Sequence, residues 1–572
     1  MDSLTPLRRY LGIKYIRLRS FSTSCPRKMP TATRPPKAPK IEESPFTHPW
    51  SDDFWGQAAP KGVDEDILIT ISSEIRKKPD WVTKFQNPEI VAKWKDELEQ
   101  QATNCLDFNA IYEYALKELQ WYKEQEEGEL AQSGFKYSVN EQVLYSDTAI
   151  SEATKNSLKE QEQKFEASIE KDYHPNSHNM VVDVVHPSLY PIVYGRTQEL
   201  VNGEVQTVEY LDEIKKVKKF VPDTGASKTF QWLPAKMTFD KDSQSFTFVS
   251  YINNLHPIQF AELYTQISDV FNQSLPGLKR CLSHAQSEPY TRIDIPEGEE
   301  AYEQEFYDLR DKLYDADDLS AEEESNLEEE LEKKKASLVK KISPVWEGGP
   351  TLKPFDFSYF GNLNVIVKLA NIELTPENPK YNGGSWHVEG TINEDIVATI
   401  LYYYDVENID DSKLSFRESM ADPRYEQGDE FFCQHYYGLL DGDIMVRSRG
   451  SEVTKQDRVL IFPNVFQHHV DAFELADKSK PGHRKILCFF VVDPYNKLVK
   501  SSETILPQQE DWANDSELMN KFFPGINGQS TMTRAEALEY REKLMAERSA
   551  AVAAELEDDF SAFHRTFSLC EH

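Results

Sequence analysis

"YNGGSWHVEGTINEDIVATILYYYD", residues 381–405, places a histidine and a glutamate two positions apart, between a glycine turn and a run of strand-forming residues. In an extended chain successive side chains alternate between faces. His387 and Glu389 then share one side, and Trp386 and Val388 the other. One imidazole and one carboxylate on a common face can grip a metal ion, and a third ligand must come from elsewhere. "FPNVFQHHVDAFEL" offers it, in His468 or His469 of a strand-like run after a Pro-Asn turn. Two histidines and one carboxylate on one side of a metal form a facial triad with open coordination positions, typical of non-haem Fe(II) oxygenases.

The next strand-like segment, "GHRKILCFFVVDP", is apolar but opens with Arg484. By alternation Arg484 shares a face with Ile486, Cys488 and Phe490. No acid of that segment falls on the same face. A buried, unpaired guanidinium is costly. A dicarboxylate co-substrate would provide the partner, with the two-oxygen geometry that suits arginine.

Around these segments, residues 345–497 read as short strands punctuated by Gly, Pro, Asn and Asp: "FGNLNVIVKLANIEL", "GGSWHVEG", "DIVATILYYYD", "DGDIMVRS", "DRVLIFPN", "QHHVDAFEL" and "HRKILCFFVVDP". That pattern predicts a sandwich or jelly roll. Residues 65–172 are mainly helical, with apolar residues at three- and four-residue spacing in "NPEIVAKWKDELEQQ" and "FNAIYEYALKELQWYKEQ". "MTFDKDSQSFTFVSYINNLHP" predicts a strand, a turn and a strand, and "IQFAELYTQISDVFNQSLPGLKRCL" an amphipathic helix. The charge block 298–341 reads as a solvated helical insertion, acids first and lysines after. "TRAEALEYREKLMAERSAAVAAELEDDFSAF" is a long helix that packs back on the body or pairs a second copy.

The resulting expectation is an α+β protein with a double-stranded β-helix (jelly roll) core and large helical additions at both ends. The regions are 1–45, 46–297, 298–344, 345–500 and 501–572. The first is basic and hydroxyl-rich, with Asp2 as its one acid before residue 40, and reads as a mitochondrial transit peptide and linker. A start at Met29 would remove most of that signal and leave a cytoplasmic or nuclear protein.

Formal net charge is −33 from 64 basic and 97 acidic side chains. Such a surface repels phosphate backbones and anionic lipid, so neither nucleic acid nor membrane is expected as a partner. No apolar run approaches the ~20 residues of a membrane span. The six cysteines are scattered without a CxxC pair, which fits a reducing compartment.

The phrases "WLPAKM", "SYINNLHP", "VIVKLANIELTPENPKYNGGSWHVEGTINEDIVAT", "YYYDVENI" and "SKPGHRKILCFFVVDP" resemble a large fungal family catalogued as a domain of unknown function. That family carries a core like the double-stranded β-helix of 2-oxoglutarate/Fe(II)-dependent oxygenases. The likeness runs from about residue 65 to 550. It implies His387, Glu389 and His468 as iron ligands, with His468 preferred over His469 because the first histidine after the glutamine recurs in the family. It implies Arg484 as the clamp for the distal carboxylate of 2-oxoglutarate. It further implies hydroxylation or demethylation of an unknown substrate; the acidic surface disfavours nucleic acid and leaves a protein side chain or a small metabolite. Trp386, Tyr402, Tyr404, Asn364, Lys368 and His435 are candidates to line the pocket. Two other functions compete. A zinc hydrolase lacks its HExxH helix here. A scaffold that kept the fold for binding has no physical need for an arginine facing a metal site.

Overall fold

β-Branched and aromatic runs separated by turn residues form the strands of this chain. A computed structural model describes residues 44–50, 60–102, 105–212, 225–295, 301–314, 320–426, 429–526, 529–555 and 563–569. Before the charge block lie β1 (Lys136–Tyr137), β2 (Leu144–Ser146), β3 (Val181–Val185), β4 (Ile192–Val193), β5 (Gln198–Val201), β6 (Glu204–Thr207), β7 (Phe230–Gln231), β8 (Ala235–Asp240) and β9 (Ser245–Phe248). After it come β10 (Asn362–Leu374), β11 (Lys380–Tyr381), β12 (Ile396–Glu407), β13 (Lys413–Ser419) and β14 (Val446–Val453). The last four are β15 (Val459–Pro463), β16 (Gln467–Val470), β17 (Phe473–Glu474) and β18 (Gly482–Val492).

One large antiparallel sheet runs β1-β2-β15-β12-β18-β10-β8-β9, with β3 also pairing β10. A smaller sheet, β14-β13-β16, and the ribbon β11-β17 complete the site region. β4-β7 and β5-β6 are separate ribbons. The fold is thus mixed α+β with antiparallel sheets.

The two faces of the large sheet differ as alternation requires. Tyr402, Tyr404, Leu487, Phe489, Val365, Val367 and Ile461 pack with the helices in one apolar cluster. Leu401, Tyr403, Cys488, Phe490, Ile366 and Phe462 point the other way and meet Leu414 and Phe416 of β13. The Phe416 and Phe462 rings are 5.1 Å apart, so the small sheet closes over the large one. Each such buried side chain contributes about 1.5–3 kcal/mol.

The expected helices form: Pro88–Glu99, Phe108–Glu127, Glu152–Glu166 and Ala261–Ala285. Asn87, Asp107 and Ser151 cap the first three through side-chain oxygens. Gly277 brings Ala261–Ala285 close to the sheet, since a Cβ there would stand 2.6 Å from Phe135 and 2.8 Å from Ile461. The charge block forms helices Gln304–Tyr314 and Ala321–Leu338, the second opened by a Ser320–Glu323 capping box. Tyr302, Phe306, Leu309 and Leu338 dock the block on Phe432, Tyr436 and Tyr437.

Ile41–His572 form one compact unit. β1, β2, β3, β8 and β9, from the region before 297, extend the sheet of the 345–500 region. The C-terminal helix Arg534–Glu555 packs back on this body through Ala537 and Leu544. Except for Ser44 and Pro45, the expected transit segment lies outside the described residues. No helix among the described residues is long and apolar enough to cross a membrane.

Candidate metal centre

The expected strand around His387 is reduced to a single antiparallel bridge, His387 with His468. His387 N–H donates to the His468 carbonyl at 3.1 Å, and His468 N–H to the His387 carbonyl at 3.0 Å. The glycine turn makes this approach feasible. Gly383 has φ +92°, and a Cβ there would stand 2.9 Å from the Val470 carbonyl. Gly384 N–H donates to that same carbonyl.

His387, Glu389 and His468 come together, their ligand atoms all within 4.8 Å of one another. Nε2 of His387 is 3.7 Å and Nε2 of His468 3.4 Å from Oε1 of Glu389. Nδ1 of His387 lies 2.9 Å from the Ser385 carbonyl. A carbonyl only accepts, so Nδ1 carries the proton and the Nε2 lone pair is left for a metal. The side chain of His468 is 4% exposed and that of Glu389 13%, while His387 is 41% exposed, so the site opens on the His387 side. Asn464 clamps the carboxylate ligand through its main chain. Its Oδ1 accepts from Glu389 N–H at 2.9 Å, and its Nδ2 donates to the Glu389 carbonyl at 2.8 Å.

Charges follow from the same contacts. Burial opposes a charge on Glu389, yet the two imidazoles outweigh it and hold the carboxyl well below its usual range. Burial also opposes protonation of His387, but Glu389 and the Ser385 carbonyl raise it on balance. His468 is lowered by burial and by the neighbouring His387. The shifts favour an ionised Glu389 and a neutral His468, as a metal requires, while His387 would give up its Nε2 proton on binding one.

A second cluster, His174, Asp183 and His186, has comparable spacing. Its chemistry differs. Nδ1 of His186 accepts the Ser188 N–H at 3.2 Å, so in the neutral ring Nε2 holds the proton and has no lone pair to offer. Arg541 of the C-terminal helix stands 3.9 Å from Asp183 and 2.6 Å from Asp172. Asp183 is pinned by histidines and a guanidinium, contacts that make this cluster an electrostatic tie within the fold.

Arg484 is 2% exposed and on the inner face, as alternation predicts. Nη1 donates to Ser412 Oγ at 2.8 Å and to Thr454 Oγ1 at 3.3 Å. Its guanidinium lies 4.9 Å from the Phe473 ring and 5.5 Å from Tyr403. Among the described residues no carboxylate is within 4.0 Å of it, and burial lowers its pKa. Lys368 faces Cys488 across the β10–β18 ladder, on the same inner face.

A cavity of about 370 Å³ opens beside His387 and Glu389. Trp386 lines it, with Trp50, Trp232, Phe563, Gln467 and Arg548. The other pocket candidates lie elsewhere. Tyr402 and Tyr404 are buried on the helical side of β12, and Tyr403 is the one turned inward. His435 stacks on Phe431, its ring 5.3 Å away, in the segment under the charged helices. Asn364 and Lys368 are not among the described residues that line this cavity, and neither is Arg484. Sequence reading missed Asn464 except as a turn. It also missed Trp50, Trp232, Arg548 and Phe563, whose distance along the chain left no local signal.

The geometry thus brings two histidines and one carboxylate into a set that could hold one metal ion, in an antiparallel α+β body. The chain belongs to the family described as "Protein of unknown function (DUF4246)", whose model matches residues 109–516, with the N-terminal domain model of the same family at residues 24–97. No curated protein matches the chain. Among solved structures it is similar to a selenomethionine-labelled Fe(II)/(alpha)ketoglutarate-dependent dioxygenase, TqaL, at 11% identity and TM-score 0.26, covering 62% of this chain and 82% of that one. A bsmA homolog from Methylobium petroleophilum is similar at 8% identity and TM-score 0.24, covering 64% and 90%. The non-heme monooxygenase ThoJ, as its nickel complex, gives 9% identity and TM-score 0.14, covering 33% and 66%. At these scores neither fold nor function is carried across.

Proposed function

We propose that this protein is an Fe(II)/2-oxoglutarate-dependent oxygenase that hydroxylates or demethylates a protein side chain or a small molecule. The observation that carries the reading is the convergence of two Nε2 atoms on one Glu389 oxygen, with the His387 tautomer set by Ser385. Sheet order supports a double-stranded β-helix. In the large sheet β15-β12-β18-β10 are neighbours, and β14-β13-β16 with β11-β17 supply the facing layer.

His387, Glu389 and His468 would hold the metal, and three protein ligands leave positions for a bidentate co-substrate and dioxygen. Iron(II) bound there supplies the activation of dioxygen, coupled to oxidative decarboxylation of 2-oxoglutarate. Arg484 is the group for the distal carboxylate, held in place by Ser412 and Thr454 and shielded from water by Tyr403 and Phe473. In that dry setting a charge-assisted pair is strong. Asn464 orients Glu389. The C-terminal helix walls the cavity through Arg548, so a substrate enters beside Trp386 and is sheltered from bulk water.

Succinate formation from 2-oxoglutarate with Fe(II) and oxygen tests the reading. Slow uncoupled turnover is expected in the native protein and none in His387→Ala. Equal succinate in both would remove the assignment.

A further inference from the structure

The cavity beside the metal ligands has one arginine in its described lining, Arg548, and a second, Arg417, against the outer side of two lining residues. Arg417 lies with its guanidinium 4.7 Å from the Trp386 ring, and its Nε donates to Gln467 Oε1 at 2.6 Å. Trp386 and Gln467 both line the cavity. Among the described residues no carboxylate lies within 4.0 Å of Arg417, in a chain where acids outnumber bases by 33 (97 − 64). Burial alone depresses its pKa, with no acid to counter it. Arg548, on the C-terminal helix, stacks 4.0 Å over Trp232. Its Nη2 donates to Glu394 at 2.7 Å, while Nε and Nη1 have no hydrogen-bond partner among the described residues. The one acid in the described lining is Glu389, which the metal reading consumes.

A half-buried cation without a counter-ion costs free energy unless a ligand supplies the charge. Aromatic walls can instead select a cationic ligand. Here guanidinium groups already stack on Trp232 and Trp386, and a second cation would meet like charge. We propose that the cavity takes a substrate carrying an oxyanion, a carboxylate or a phosphate, on a planar or apolar body, with Arg548 as its anion-binding group and Arg417, behind Trp386 and Gln467, adding positive charge to that wall. Calling this ligand the substrate rests on the oxygenase reading; the anion site itself does not. Arg548 lines the cavity and Arg417 backs its Trp386 and Gln467 wall, whereas Arg484 touches neither wall residue and faces Ser412, Thr454, Tyr403 and Phe473 instead.

Calorimetric titration of metal-free, full-length protein with benzoate, and separately with inorganic phosphate, tests it. One equivalent of at least one probe is expected to bind. Benzoate alone marks a carboxylate site with a planar body, and phosphate alone a phosphate site. Affinity should fall at least tenfold in Arg417→Gln and in Arg548→Lys, which keeps a cation for Glu394. It should be unchanged in Arg484→Gln. Failure of both probes to bind, or equal binding in Arg417→Gln and Arg548→Lys, overturns the proposal, as does binding lost only in Arg484→Gln. Thermal unfolding of each variant confirms that it is folded. Because metal is absent, a failure of the triad to take iron leaves this outcome untouched.

Discussion

His387 and His468 face each other across a reciprocal pair of main-chain hydrogen bonds, 3.1 and 3.0 Å long. The spacing of the two imidazoles is therefore fixed by backbone register. It does not depend on the side chains finding one another.

Single replacements should accordingly remove the metal without unfolding the protein. His387→Ala, Glu389→Ala and His468→Ala are each expected to lose stoichiometric Fe(II), measured by metal analysis after desalting. His469→Ala should keep it, since His469 instead pairs with Asp471 at 3.2 Å and packs on Trp386. Iron retained in Glu389→Ala would contradict the ligand set.

Asn464→Ala should act on the metal from one residue away. The variant frees the Glu389 N–H and carbonyl inside the protein and also loses a 3.1 Å bond to the Ile396 carbonyl. Groups that orient a ligand are worth roughly 10–100-fold in metal affinity. Buried polar groups left unpaired cost about 1–3 kcal/mol. A Co(II)-substituted variant should show both a weaker dissociation constant and an altered d–d spectrum. An unchanged spectrum would reduce Asn464 to a packing role.

Arg484→Met should separate stability from function. The native guanidinium is buried with hydroxyl and aromatic partners but no carboxylate among the described residues. Replacing such a charge by an apolar side chain is expected to raise the unfolding free energy of the co-substrate-free protein by about 1–3 kcal/mol. The same change should leave iron bound and weaken 2-oxoglutarate by at least tenfold. A loss of stability would show that the charge is already satisfied within the fold.

Stability should fall on the acid side well before the carboxylates titrate. Burial pushes His186 and His284 down to about 3 from an ordinary 6.5. The unfolded chain thus binds protons between those values that the folded protein does not, and protonation favours unfolding as pH drops below 6.5. The penalty is about 2 kcal/mol per histidine by pH 5. Below pH 4.5 Glu141 and Glu418 add to it, because neighbouring cations hold both near 2 against their burial. Denaturant midpoints measured from pH 8 to 4 should decline throughout the acid half. His284→Phe should flatten part of that slope.

Alternation made much of the centre legible. It put His387 with Glu389, turned Arg484 inward, and set Tyr402 and Tyr404 apart from Tyr403. It could not say which face of β12 was which, and the pocket assignment of Tyr402 and Tyr404 fell on the helical side. β13 escaped notice because "KLSFRES" is short and mixes charges with its apolar positions, although Leu414 and Phe416 are buried. The cavity wall was invisible for another reason. Trp50 and Arg548 reach it from opposite ends of the chain, and nothing local in either segment marks a shared destination.

His387, Glu389 and His468 are expected to hold iron in a state ready for 2-oxoglutarate. Anaerobic titration of the Fe(II)-loaded protein with 2-oxoglutarate tests it most directly, read as the weak visible charge-transfer band of the chelate. The band should saturate at one equivalent and be lost in Arg484→Met. Iron that stays bound while no band develops would contradict the account.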